Sequence, residues 1–326
     1  MKHITILAIE KCMTSAVVAL HDIFAIANLC CMKHDPTGDF PFFSVDVVTE
    51  DGNNVLSFNN LTLQADHSCR EAKQTDIVIV PPVLDDLNTM VGDHPQIVEW
   101  LKTQHDEGAI LASVCTGIFF IADTGFLNGR SCTTNPSAAF QFSQRYPEIQ
   151  LKLNEIIVDE GDIITSGSSL SFLDLYIYII ERFCGNEVAV DCSKMMLLEK
   201  NRHSQAPFFM TEDKSYHNDP DIQKAQDYLN KNFTEAISVE SLAAELGMSL
   251  RNFFRRFKIA TGTTVLKYLQ NLRVNKARSY LENTQLTVDE ITYKIGYDDS
   301  SSFGRLFKKK TELSPSAYRK KFSPYK

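Results

Sequence analysis

The chain has 326 residues, of which 44% are hydrophobic and 23% charged. The length predicts two or three domains, and the composition excludes a disordered, collagen-like or coiled-coil chain. The net charge of -8 is unevenly divided: residues 217–326 hold 19 Lys and Arg against 12 Asp and Glu, and the first 216 residues hold 14 against 29. An acidic body with a basic tail is the first indication of function.

Targeting signals are not expected in this chain. The apolar run at residues 4–9 is too short for a signal peptide, and the stretch at 170–180 contains Asp174 and ends at Glu181-Arg182, so it should not span a membrane. The eight cysteines show no Cys-x-x-Cys spacing, which predicts reduced thiols without a metal site. We therefore expect a cytoplasmic protein with no cofactor.

The first 200 residues alternate strand-like and helix-like segments. Because apolar strands separated by helices favour a parallel sheet covered on both faces, we expect a flavodoxin-like α/β sandwich here. The predicted strands are 4–9, 43–48, 76–80 and 109–114, the predicted helices 15–31, 95–107, 169–183 and 187–198, and a hairpin is expected at 156–158 and 163–165. Another helix is expected to begin at Cys115.

The domain boundaries follow from a change in pattern. Residues 1–200 form the predicted α/β domain, residues 201–218 are polar and without periodicity and are expected to be a linker, and residues 219–326 are expected to be helical throughout. Asp219-Pro220 supplies an N-cap and a first helical residue for that second domain.

The helical domain repeats itself. Residues 238–247 match 287–296 in their apolar and glycine positions, and residues 253–258 match 303–308 after a one-residue insertion. Each unit predicts a short capped helix, a turn at glycine and a second helix; Thr287 and Glu290 predict a capping box. This is the pattern of a helix-turn-helix, present twice and joined by a helix over 263–281.

A doubled helix-turn-helix in a basic domain predicts binding to double-stranded DNA, because the second helix of each motif enters the major groove. The expected base contacts are Arg251, Asn252 and Arg255 on the first such helix and Ser300, Ser301 and Arg305 on the second. Lys308 and Lys309 are expected to bind phosphates. Phe253, Phe257, Phe303 and Phe307 are assigned to the core.

Residues 220–322 resemble the DNA-binding module of the AraC/XylS family of bacterial transcription regulators. The likeness includes Gly296-Tyr297 and the closing segment 313–319. It implies sequence-specific regulation of transcription, with a homodimer as the binding unit, RNA polymerase as a further partner, and location in a bacterial cytoplasm, at the nucleoid when bound.

In the first domain, Cys115 lies between a predicted buried strand and a helix, the position of the nucleophile in elbow motifs. Residues 3–190 resemble the ThiJ/PfpI branch of the class I glutamine amidotransferase-like superfamily, and the fusion resembles the GlxA-type regulators. That resemblance implies a sensor or dimerisation domain. Cys115, Thr116 and Asn135 are candidate pocket residues for an unidentified small-molecule effector.

Three departures from the family's catalytic pattern predict that the domain is not an enzyme. Where the family commonly has Thr-Thr-His, this chain has Thr133-Thr134-Asn135; no acid lies between Met13 and Val18; and the loop that often supplies oxyanion donors contains Pro81-Pro82, which have no N–H. Three roles remain open for Cys115: a small buried residue, a ligand or redox residue, or the nucleophile of an amidase-like enzyme fused to a DNA-binding tail.

Overall fold

The computed structural model describes residues 1–200, 202–209 and 217–324. The chain forms two compact units, Met1–Gln205 and Ala206–Lys326. Each has its own buried apolar core, which in the second unit consists of two clusters, one for each helix-turn-helix.

The first unit is built on a seven-stranded sheet in the order β10-β11-β7-β6-β1-β2-β5. Two short ribbons, β3 with β4 and β8 with β9, lie outside it. The strands are β1 Lys2–Leu7, β2 Phe43–Thr49, β3 Val55–Leu56, β4 Thr62–Leu63, β5 His67–Ser68, β6 Ile77–Val80, β7 Ile110–Val114, β8 Ser131–Cys132, β9 Gln150–Leu151, β10 Ile157–Asp159 and β11 Ile163–Ser166.

All pairs in the large sheet are parallel except β10 with β11. Every residue of β6 is buried, as expected for a central strand covered on both faces. The predicted parallel α/β fold is confirmed. The predicted hairpin forms, but it does not merely decorate the sheet, because β11 also pairs with β7 as a further parallel strand.

The helices of the first unit pack in two groups, α1 with α5 and α2 with α3. They are α1 Thr14–His34, α2 Pro95–Asp106, α3 Ile118–Asp123, α4 Ala139–Arg145 and α5 Phe172–Met195. Gly185 breaks α5 with φ 84° and ψ 168°, which explains why the sequence predicts two helices there. Strands β3–β5, β8 and β9 and helix α4 were not predicted, because segments this short carry little periodicity.

In the part of the chain that the structure describes, α1 is the one helix long and apolar enough to cross a membrane. It packs against β2 and α5, and eight of its residues, including Leu20 and Phe24, are buried in the core. A core helix of an α/β domain has the same composition, so its length and hydropathy are accounted for by burial.

The described residues of the predicted linker, 202–209, 217 and 218, belong to one or other of the two compact units. Gln205 is buried in the first unit, and Ala206 and Pro207 are buried in the second. There Arg278 donates to the carbonyls of Ala206 at 3.1 Å and of Phe209 at 2.5 Å. Residues 201 and 210–216 of the proposed linker lie outside the described residues.

The second unit is helical throughout its regular structure. Its helices are α6 Pro220–Lys231, α7 Val239–Glu245, α8 Leu250–Thr261, α9 Val265–Asn283, α10 Val288–Lys294, α11 Ser300–Thr311 and α12 Pro315–Phe322. The predicted N-cap of α6 is present, since the Asp219 side chain accepts from Ile222 N. Arg273 on α9 donates to the carbonyls of Phe233 and Glu235, and this fixes the loop between α6 and α7.

Candidate functional site

Each helix-turn-helix begins with a side-chain cap and turns at a glycine. Ser238 caps α7 and Thr287 caps α10, where the predicted capping box with Glu290 is present. Gly247 and Gly296 follow these helices with φ of 67° and 81°. Because residues other than glycine rarely adopt this left-handed conformation, the two glycines set the turn between the helices of each motif.

The second helices of the two motifs, α8 and α11, are built alike. Each has 12 residues and follows an N-cap residue, Ser249 or Asp299, whose side chain accepts hydrogen bonds from the first turn. Each is followed by a C-cap residue in the left-handed region, Gly262 or Glu312, with φ of 69° and 60°. All four predicted core phenylalanines are fully buried, as expected. Burying one face with these rings leaves the opposite face of each helix free for recognition.

Most of the predicted base-contacting and phosphate-contacting residues lie on that outward face. Arg251, Arg255, Ser301, Arg305, Lys308 and Lys309 are exposed, and Asn252 and Ser300 are half-buried. Arg255 donates to Asn252 Oδ1 at 3.0 Å, and Arg305 donates to Ser302 Oγ at 3.0 Å, so the two helices carry equivalent arginine contacts. Ser300 donates to Asp289 Oδ1 at 2.5 Å, and its hydroxyl is thus already engaged on α10.

Tertiary packing adds basic residues that the sequence reasoning did not select. Partial burial and the nearby ammonium groups of Lys267 and Lys309 lower the pKa of Lys310. Lys267 is on α9, outside both motifs, so only the folded structure shows that it belongs with the α11 lysines. Lys310 makes no ion pair with any described residue, and such a lysine cluster suits a phosphate group.

Arg256 on α8 has a structural role. It donates to Asp219 Oδ1 at 2.6 Å and to Asp221 Oδ2 at 3.1 Å, which joins α8 to the start of α6. Its carboxylate partners raise the pKa of its guanidinium group. The neighbouring Arg255 has no carboxylate partner among the described residues, and its guanidinium group bonds only to Asn252 within that part of the chain.

The strand-to-helix elbow of the first unit forms as predicted. Strand β7 ends at Val114, residues Cys115–Gly117 make a single 3₁₀ turn, and α3 follows. Cys115 has φ 56°, the strained backbone of a nucleophile elbow. Gly117 is required there, since a Cβ would lie 2.5 Å from Val80 O and 2.6 Å from Pro81 O.

The Cys115 side chain is enclosed. It is 3% exposed, and burial raises the pKa of the thiol despite its hydrogen bonds with Asn135, Ser169 and Thr116. Thr134 Oγ1 donates to the Cys115 carbonyl at 2.7 Å. The structure therefore brings the three candidate pocket residues together, and among the described residues no histidine bonds to the thiol.

Loops at the carboxyl edge of the sheet close the crevice beside this elbow. The strand order reverses between β1 and β6, which is where ligands commonly bind in such folds. Here the loops after those strands join, since Met13 N donates to Pro82 O at 2.8 Å and Leu84 N to Lys11 O at 3.0 Å. Val83 N donates to Thr116 Oγ1 at 2.9 Å and is also occupied.

Both units are similar to known protein domains. Residues 42–182 match the DJ-1/PfpI family and residues 242–321 match a helix-turn-helix domain. The chain is 25% identical over 274 residues to the HTH-type transcriptional regulator CdhR of Pseudomonas aeruginosa, covering 84% of this chain and 80% of CdhR. It is 23% identical over 269 residues to GbdR of the same species, covering 81% and 71%.

A solved structure shares the fold of part of the chain. The crystal structure of an AraC family transcriptional regulator from Pseudomonas putida covers 60% of this chain and 100% of its own, with a TM-score of 0.52 and 19% identity. The fold and the doubled helix-turn-helix define a DNA-binding regulator with an α/β N-terminal domain. The chain thus combines a DJ-1/PfpI-type domain with a helix-turn-helix domain, and the relatives that it resembles over most of their length are HTH-type transcriptional regulators.

Proposed function

We propose that this regulator binds a specific operator as a homodimer, with α8 and α11 in successive major grooves and the first unit responding to a small molecule. The observation that supports this proposal best is the equivalence of α8 and α11, each with a buried phenylalanine pair and an outward arginine. Two such helices on one module would contact faces of the duplex about 34 Å apart. RNA polymerase is the proposed further partner at the promoter.

Replacing Arg255 or Arg305 by alanine should cost about 1–3 kcal/mol of binding free energy and relax specificity at a few base pairs, because a bidentate arginine contact with guanine is lost. The operator for this experiment is first defined by genome-wide mapping of bound DNA. Affinities are then measured for that operator and for single-base variants across a salt series.

Lys309→Ala is the matched control for those arginine variants. We expect it to weaken binding to all sequences alike and to reduce the salt dependence by about one phosphate contact. A wild-type chain that binds DNA without sequence selectivity, or without sensitivity to salt, would contradict the proposed function.

For the first unit, we propose that Cys115 is not a catalytic nucleophile. Its thiol is buried with a raised pKa, whereas nucleophilic cysteines have lowered pKa values. The backbone positions that would supply oxyanion donors are Pro81, Pro82 and the already bonded Val83. Cys115, Thr116 and Asn135 would instead hold the elbow loop together or line an effector site there.

A thiol titration distinguishes these roles for Cys115. We expect alkylation of Cys115 by iodoacetamide to follow an apparent pKa above that of a free thiol, and we expect no covalent adduct from a panel of ester and amide electrophiles. Mass spectrometry of peptides assigns the modified residue among the eight cysteines. The amidase-like alternative would be supported by rapid, saturable acylation of Cys115 that Cys115→Ser abolishes.

A further inference from the structure

One phenylalanine of α8 is left out of the core. Of the three in this helix, Phe253 and Phe257 are fully buried, whereas Phe254 is 45% exposed. Phe254 is not among the described residues that form the core of this motif. Its ring centre lies 6.4 Å from that of Phe253, its one ring contact in the described part of the chain. Single exposed apolar side chains are common on protein surfaces, so a function has to be argued from the position of Phe254 on the helix.

Phe254 lies beside the arginines of α8 that are expected to contact bases. It follows Arg251 by three residues, and residues three apart are neighbours on a helix surface. It directly precedes Arg255, and all three side chains are exposed. Phe254 is the fifth residue of α8, within the N-terminal half that reads base edges in a helix-turn-helix. A helix that brings the two arginines to the major groove therefore brings this ring there as well.

The chemistry of Phe254 differs from that of the arginines beside it. A benzyl group forms no hydrogen bond with a base edge, so it cannot recognise donors and acceptors. The group that it contacts favourably in the major groove is the C5-methyl group of thymine, which the other three bases lack. Contact between the ring and this methyl group removes apolar surface of both from water.

The second helix-turn-helix has no equivalent of this ring. In the internal repeat, residues 253–258 match 303–308, so the position of Phe254 is taken by Gly304 on α11. A Cβ at Gly304 would have nothing within 4 Å, so packing within the described residues does not require a glycine there. The two helices therefore share an arginine at the next position but differ in the apolar group before it.

We propose that Phe254 determines specificity by recognising the C5-methyl group of one thymine in the major groove that α8 enters. The inference rests on the proposed function, which places α8 in that groove. Arg255 selects its base by hydrogen bonds, and Phe254 selects thymine about one or two base pairs away, because one helical turn of about 5.4 Å spans that distance along the duplex. Gly304 leaves α11 without this preference.

Replacing thymine by deoxyuridine tests the contact directly, because it removes the methyl group and leaves every hydrogen-bonding group of the base pair in place. Each thymine of the mapped operator is replaced in turn, and the affinity of the full chain is measured. We expect one replacement in each half-site to weaken binding about three- to five-fold, the effect of one buried methyl-sized group. That thymine should lie beside the base pairs at which Arg255→Ala relaxes specificity, and about ten base pairs from those that depend on Arg305.

Substitution of Phe254 should remove this preference for thymine. Phe254→Ala is expected to bind the thymine and deoxyuridine operators equally, whereas Phe254→Leu keeps an apolar side chain and should retain part of the difference. Ile259→Ala is the matched control, because Ile259 is a 63% exposed apolar residue of α8 that lies five residues further from its N-terminus. It should leave the ratio of the two affinities unchanged. Circular dichroism at the helix band checks that each variant is folded.

The proposal would be overturned by an operator with no thymine beside the Arg255-dependent base pairs, or by deoxyuridine there binding as tightly as thymine. Both results come from wild-type binding and do not depend on the folding of a Phe254 variant. A preference that survives in Phe254→Ala, or is lost equally in Ile259→Ala, would also contradict it. Sequence-selective binding without a preference for thymine refutes only this inference, whereas binding without sequence selectivity refutes the proposed function.

Discussion

Replacing Gly296 by alanine is expected to destabilise the second unit by about 3 kcal/mol or more, because left-handed strain and a backbone clash add together. Gly296 has φ 81°, and a Cβ there would lie 2.3 Å from Thr234 O and 2.8 Å from Thr234 C. Both contacts are with backbone atoms of the loop between α6 and α7, so no side chain can rotate away. The turn that places α11 would have to open, and operator affinity should fall with it.

Gly247→Ala is the matched control, since Gly247 occupies the same turn in the first helix-turn-helix. Its φ is 67°, but nothing lies within 4 Å of the position that a Cβ would take. We therefore expect only the conformational cost, about 1 kcal/mol. Equal losses of stability in the two variants would show that the close approach to Thr234 does not matter.

The chain allows each unit to be followed separately during unfolding. Trp100 lies in the first unit and is buried, so its fluorescence reports on that unit alone. Far-UV circular dichroism at the helix band reports on both units, because α1–α5 and α6–α12 contain similar numbers of helical residues. Gly296→Ala should therefore move the part of the circular dichroism change that does not coincide with the Trp100 transition, and leave the Trp100 transition where it is.

Replacing Gln205 by alanine should destabilise the first unit by about 3 kcal/mol, because several buried polar groups lose their partners at once. Gln205 is 5% exposed. Its Oε1 accepts from Ser168 N at 2.9 Å, and its Nε2 donates to Thr134 O at 3.0 Å and Leu153 O at 2.8 Å. The residue therefore connects the segment around Ser168 to the loop that contacts Cys115.

Gln96→Ala is the control for that substitution. Gln96 is an exposed glutamine on α2 whose side chain accepts one hydrogen bond from Arg70 at 3.3 Å, so its loss should stay within about 0.5 kcal/mol. Denaturant unfolding followed by Trp100 fluorescence measures both variants. If Gln205→Ala is as stable as Gln96→Ala, then Gln205 is a linker residue, as its polar neighbours in the sequence suggested.

The sequence predicted the DNA-binding half well because its signals are local. The capping box at Thr287, the glycine turns and the phenylalanine pairs each depend on residues within a dozen positions of one another, and the structure confirms them. The repeat at an offset of about 50 residues strengthened every one of these assignments. The grouping of Lys267 with Lys310 was missed because the two residues lie on different helices, 43 positions apart in the sequence, and only the folded unit brings their charges near each other.

In the first unit, the sequence predicted the central strands and the elbow, since buried strands are long apolar runs. It could not predict the role of Gln205, which a polar, aperiodic segment seemed to place in a linker. The partners of Gln205 are 37 to 72 residues away in sequence. Contacts over such separations leave no periodic trace, so they appear only after the sheet has assembled.

The sequence by itself determined the two-part architecture, the parallel sheet, both helix-turn-helix motifs and the division of charge between an acidic and a basic half. Each of these depends on local periodicity, capping or composition, which act before tertiary contacts form. Only the tertiary structure decided that Cys115 is enclosed and that Arg256 bonds to the start of α6, while Arg255 has no carboxylate partner among the described residues. It also decided that an acid-lined cavity lies between β10, α5 and residues 197–200, 202 and 203. Burial and charge at those places are set by residues far apart in the chain, and folding alone brings them together.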